Sequence, residues 1–168
     1  EEMLMNLCRT KALPGAARGG IPRGLMFEEY FPLFAGFFAE LGFVVVPSAP
    51  TNKAIVRDGI RRVMSEPCYP VKVAHGHVAD VIKKGVDYLF MPRVINAEIN
   101  DENIRQSYTC PYVQAGPDLT AAALRLDENF GVRLLSPCFF FKRGERHVMR
   151  VLGELGRELG FGKSAIER

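Results

Sequence analysis

Apolar positions follow two rhythms along this chain, and their alternation sets the expected architecture. Tyr30, Leu33, Phe34, Phe37, Phe38 and Leu41 recur at the three- and four-residue spacings of one buried helical face. Pro32 suits such a helix only in its first turn, and Gly42 supplies a stop. Phe43-Val44-Val45-Val46 is short, continuously apolar and β-branched, the signature of a strand covered on both faces. Ahead of both, Ile21-Pro22-Arg23-Gly24-Leu25 reads as a short strand running into a turn.

Thr51 or Asn52 can cap a helix reaching about Ser65, with Ile55, Val56, Ile60 and Val63 inward. Glu66-Pro67-Cys68-Tyr69-Pro70 breaks it, and a further helix runs from about Val71 to Lys84, stopped by Gly85. Tyr88-Leu89-Phe90-Met91 is the next buried strand, ended by Pro92. From Arg93 to Thr109 the polar, irregular pattern predicts a long loop, a length that usually goes with function or mobility. A short helix near Leu119–Leu126, a strand at Val132–Leu135 and an amphipathic helix over Arg146–Leu159 complete the pattern. Gly162 to Arg168 begin a further helix.

Strands alternating with helices predict an α/β three-layer sandwich, a mostly parallel sheet with helices on both faces. Ligands of such sheets sit beyond the carboxyl ends of the strands. Pro47-Ser48, Pro92-Arg93 and Ser136-Pro137-Cys138 all follow predicted strands and should gather on that edge. Residues 1–19 read as a poorly ordered leader and 20–168 as one α/β domain, expected to be part of a longer protein.

Composition narrows the field. The 168 residues are 48% hydrophobic and 24% charged, ordinary for a folded domain and unlike a disordered chain. A net charge of +3, with Lys and Arg spread along the chain, does not point to nucleic acid. No apolar run approaches the roughly eighteen residues of a membrane span, and the first twenty lack the apolar core of a secretory signal. Four irregularly spaced cysteines need no disulfide framework and fit reduced thiols in cytoplasm.

Two cysteines nevertheless stand out. Cys68 lies in a Pro-Cys-Tyr-Pro turn at a helix start with Lys72 one turn on, and both surroundings favour thiolate, the form that attacks electrophiles or binds metal. A small apolar residue in a tight turn fits Cys68 as well. Cys110 is also followed directly by proline. The separation of the two excludes a CxxC motif, whereas iron–sulfur ligation needs only that thiolates from separate loops converge. Cys138 can be a third thiol on that edge, or a core cysteine beside Phe139-Phe140-Phe141, while Cys8 falls in the leader. His75 and His77, two apart on a helix, share no face and make a poor metal pair, so one is expected near the Cys68 edge and the other in solvent. Gly19-Gly20-Ile21-Pro22-Arg23-Gly24 lacks both GxGxxG and Walker spacing. Arg23 and Arg93, each just past a strand, can grip a phosphate or carboxylate, or form surface salt bridges.

Taken in order, Gly20-Ile21-Pro22-Arg23-Gly24-Leu25 with Tyr30-Phe31-Pro32-Leu33, Pro50-Thr51-Asn52-Lys53, Cys68-Tyr69-Pro70-Val71-Lys72, Gly76-His77-Val78, Met91-Pro92-Arg93, Cys110-Pro111 and Gly116-Pro117-Asp118 resemble the acyl-CoA dehydratase activase-related family. That family is similar to the cluster-binding subunits of 2-hydroxyacyl-CoA dehydratases, in which stacked α/β domains hold a 4Fe–4S cluster on cysteines. A partner activase with an actin-like ATPase fold delivers an electron to the cluster using ATP. The resemblance implies low-potential electron transfer or reductive radical chemistry on an acyl-CoA-type substrate, as a component of a dehydratase-type system, with an activase domain or subunit as partner. It makes Cys68 and Cys110 the leading cluster ligands, with Lys72, His77 and Arg93 nearby; Cys138 matches none of its motifs and stays a candidate metal ligand, and Arg23 a candidate cofactor contact, from position alone. It also implies departures: members are longer, ATP-binding parts are absent here, and a third ligand is expected from another domain. A non-catalytic module that docks onto an activase or dehydratase subunit, its cysteines structural, is the alternative; a functionless fragment is the third reading.

Overall fold

The computed structural model describes residues 15–99, 103 and 106–166. Most of the expected leader, Cys8 and the last two residues lie outside them. The elements run β1 (Arg18–Ile21), α1 (Phe27–Glu40), β2 (Val44–Pro47), α2 (Lys53–Arg62), α3 (Tyr69–Lys83), β3 (Tyr88–Phe90), β4 (Arg93–Asn96), α4 (Pro111–Gln114), α5 (Gly116–Leu124), α6 (Leu126–Asn129), β5 (Arg133–Leu135), β6 (Cys138–Phe140), α7 (Glu145–Glu158) and α8 (Lys163–Ile166), with one 3-10 turn at Phe141–Arg143.

Four strands form a wholly parallel sheet in the order β2-β1-β3-β5. Successive side chains leave opposite faces, so Val45, Ile21, Phe90 and Leu135 join one core with α1 and α7, while Val46 and Leu89 join another with α3, α5 and α6. Helices therefore cover both faces, and the three-layer α/β sandwich holds.

Two parts depart from the periodicity. The stretch expected as a loop from Arg93 opens instead as β4, with Val94 fully buried, and pairs in parallel with β6. The offset that aligns Tyr88 with Arg133 also aligns Arg93 with Cys138, so β4–β6 continues the β3–β5 ladder. Pro92 and Pro137 lie abreast in that ladder, and neither has an N–H to give. Met91 N–H still reaches Leu135 O at 2.9 Å and Arg93 N–H reaches Pro137 O at 2.9 Å, which carries the alignment across the break.

The first helix begins at Phe27 rather than near Pro32, which places the proline in its second turn, and buries Phe27, Phe31, Phe34, Ala35 and Phe38. Leu33 is exposed, because the covered stripe is rotated from the expected one. In α2, Asn52 caps as expected, its Oδ1 accepting from Ala54 N at 3.0 Å and Ile55 N at 3.1 Å. Its inward face, however, is Ile55 and Gly59, and Ile60 is exposed. This helix lies outside the sandwich against α3, with Gly59 facing the Lys72 carbonyl and Gly76 facing the Ile55 carbonyl. A Cβ on either glycine would overlap that backbone oxygen.

Consequently α3 has the sheet on one side and α2 on the other, and nearly every residue from Val71 to Ile82 is buried. Its C-terminus is pinned to β1: Arg18 Nε donates to Gly85 O at 2.5 Å and its guanidinium to Lys84 O at 3.1 Å. Gly59→Ala should destabilise the fold by about 1–3 kcal/mol or more, since rigid backbone must move apart. Gly36→Ala, mid-helix with nothing within 4 Å, should be neutral or stabilise by about 0.5–1 kcal/mol. Urea unfolding of both variants checks the pair, and equal effects would contradict the packing.

Candidate functional site

The carboxyl edge of the sheet gathers the candidate residues into separate groups rather than one. Beyond β1 and β2, Arg23 N–H donates to Ser48 Oγ at 2.8 Å and Arg23 Nε donates to Ser48 O at 2.8 Å. Ser48 Oγ lies 2.8 Å from His77 Nδ1, and His77 Nε2 lies 3.0 Å from Thr51 Oγ1. Ser48 is buried and its Oγ, accepting from Arg23 N–H, also meets Nδ1. The two ring nitrogens of His77 are thus both engaged, one by Ser48 and the other by Thr51. Asp80, one turn on, accepts from Ala49 N–H at 2.8 Å and pairs with Lys84 at 2.9 Å.

His77 is fully buried. Burial pushes its pKa down to about 4, with Arg23 and Lys84 adding to the depression and Asp80 opposing it. Both histidines differ from the expectation that one is solvated, because α3 is covered on two sides; His75 Nδ1 sits 2.9 Å from the Val71 carbonyl.

A second group surrounds the break in the ladder. Arg93 grips both carboxylate oxygens of Asp118 and reaches Ser136 Oγ at 3.3 Å. The bidentate pair raises the Arg93 pKa and holds Asp118 below the usual carboxylate range. Cys138 faces solvent as the register partner of Arg93, and is not a core cysteine.

Cys68 and Cys110 each sit at the N-cap of a helix with an exposed thiol that caps no backbone N–H. Lys72, expected to face Cys68, pairs with Glu66 at 2.5 Å. The residue pair His77 and Cys68 lies nine positions apart on α3, about 13 Å along its axis. Cys110 is positioned by the segment before it: Thr109 N–H donates to Ile95 O at 3.0 Å, Thr109 Oγ1 donates to Val94 O at 2.5 Å, and Tyr108 bridges antiparallel to Asn96. Tyr69 beside Cys68, and Tyr108 and Tyr112 either side of Cys110, are all exposed.

A family model described as CoA enzyme activase uncharacterised domain matches residues 18–168. The chain belongs to that family. No curated protein and no solved structure matches it.

In this CoA enzyme activase-family domain, the described residues include no group of three or more His, Cys, Asp or Glu side chains placed to hold a metal ion. The described residues therefore do not close a cluster site by themselves, although the thiols present are the donors an iron–sulfur cluster takes. Nor is any helix among them long and apolar enough to cross a membrane. Sequence reasoning put Ser48 on this edge and Thr51 at a helix start but missed their link to His77, and missed Asp80, because the link spans strand end and helix and leaves no trace in local spacing.

His77 generates a pH signature. Its folded pKa of about 4 lies below the ordinary 6.5, so the unfolded chain binds the extra proton in that interval. The stabilisation is complete above about pH 6.5 and falls by on the order of 3 kcal/mol as pH drops towards 4. Unfolding free energies of the wild type across that range should show the slope, and His77→Gln should flatten it; an unchanged slope would contradict the buried neutral imidazole.

Proposed function

We propose that this activase-family domain supplies Cys68 and Cys110 as ligands to a 4Fe–4S cluster completed by residues of a partner domain or subunit. The system would be of the 2-hydroxyacyl-CoA dehydratase type, served by an ATP-dependent activase and acting on acyl-CoA-type substrates. When bound, such a cluster supplies low-potential electron transfer for reductive radical chemistry.

The observation that carries this reading is the paired presentation of the two thiols. Each belongs to the N-cap residue of a helix whose first turn contains proline, neither makes a side-chain capping bond, and each residue has an exposed tyrosine beside it in sequence. Exposed tyrosines next to thiols that make no capping bond suit a surface covered by a partner, since tyrosine contributes contact area at low entropic cost. The chain's own part is to hold the two cysteines. The N-terminus of α3 sets Cys68, and the Thr109 and Gln114 hydrogen bonds to β4 and its neighbouring turn set Cys110. Cys138, whose register partner Arg93 pairs with Asp118, is the other exposed thiol among the described residues.

Anaerobic reconstitution of the full-length protein with iron and sulfide, followed by optical and EPR spectra, tests the proposal. A cluster signal that is lost in the Cys68→Ala/Cys110→Ala double variant is expected. Absence of a cluster in the wild type, or one indifferent to both substitutions, would overturn it.

A further inference from the structure

An apolar cavity of about 70 Å³ opens beside β1 and β3, at the point where strand order turns to opposite sides of β1. Crevices at such switch points are where open parallel sheets bind their ligands. Ile21, Phe31, Val78, Phe90, Val94 and Val113 face it. Among all its lining side chains only Tyr30 carries a hydroxyl and none is charged. A phosphate, sugar or ionised group inside would go without partners, so the space suits hydrocarbon.

Its mouth carries an independent sign of use. Leu25 takes a left-handed conformation with φ of 52°, unusual for a leucine, and is partly exposed. Just before it, Gly24 lies so close to Ala74 of α3 that a Cβ would come within 2.9 Å of the Ala74 methyl. On the far side, a Cβ on Gly116 of α5 would lie 3.7 Å from Leu25 Cδ1. The β1–α1 loop is thus drawn onto α3, and Leu25 reaches across the opening to α5. Packing alone gives no reason for a strained leucine over an unfilled space, as both features cost stability.

We infer that this cavity binds a short unbranched aliphatic chain, tail first, beneath Leu25. Apolar cavities of roughly 150 Å³ take up benzene, and about half that volume suits a tail of about three carbons. The two arginines next to the lining residues are already engaged, Arg23 with Ser48 and Arg93 with Asp118, so the hydrocarbon tail rather than a charge on the outer end selects the occupant. The cavity lies near Cys110, whose helix supplies Val113 to its lining, but none of the cysteines lines it, and it stands whether or not a cluster is bound.

A series of linear carboxylates from acetate to octanoate, titrated into the full chain and followed by methyl NMR, tests it. Saturable shifts confined to the Ile21, Val78, Val94 and Val113 methyls should appear, strongest for pentanoate and its neighbours. Val113→Phe, which fills the cavity, should weaken binding at least about tenfold. Val113→Ala, which enlarges it, should move the preferred chain to a longer homologue, and this readout decides if the Phe variant fails to fold. No saturable shift with any chain length, or an unchanged length preference in Val113→Ala, would overturn the inference.

Discussion

The fold depends on how closely α3 is held between the sheet and α2. Gly20 in β1 leaves room for Val81 and Val86, and Gly59 and Gly76 let two helices cross with backbone against backbone. Only glycine allows that approach, so α3 is buried on two sides and its polar groups must find partners inside. His77 finds Ser48 and Thr51, His75 finds a carbonyl, and no buried side-chain polar atom among the described residues is left without a partner. The same helix carries Cys68 at its N-cap.

A second constraint acts at the paired prolines. Pro92 and Pro137 interrupt the β3–β5 ladder without changing its register, and β4 and β6 resume it beyond the break. That extension holds Val94 and Phe139 in the core, Arg93 and Cys138 at the rim, and the Thr109 anchor of Cys110 against β4. Cys68, Cys110 and Cys138 are each exposed, and the cavity beside β1 and β3 is lined almost wholly by apolar side chains.

Strand and helix order was legible because Val44–Val46 and Tyr88–Phe90 are apolar runs and α7 has a clean stripe at Val148, Val151, Leu152 and Leu155. The Asn52 cap and the Gly85 stop were legible from local chemistry. What escaped depends on distant partners. Nothing near Arg93 signals that it continues a ladder set by Tyr88 and Arg133, and Ile60 matches a buried period although Gly59 makes the contact. At the site, the helix start at Cys68 was legible from the prolines beside it, whereas the short helix that Cys110 caps was not expected. The Ser48–His77–Thr51 link and the cavity under Leu25 exist only once three or more elements meet.

Native-state hydrogen exchange read amide by amide along α3 addresses the central constraint directly. If the helix is locked between sheet and α2, amides from Ala74 to Ile82 should exchange only through global unfolding, with the same free energy as those of Leu89 and Phe90. Exchange of that segment through a local opening well below the global value would contradict the account.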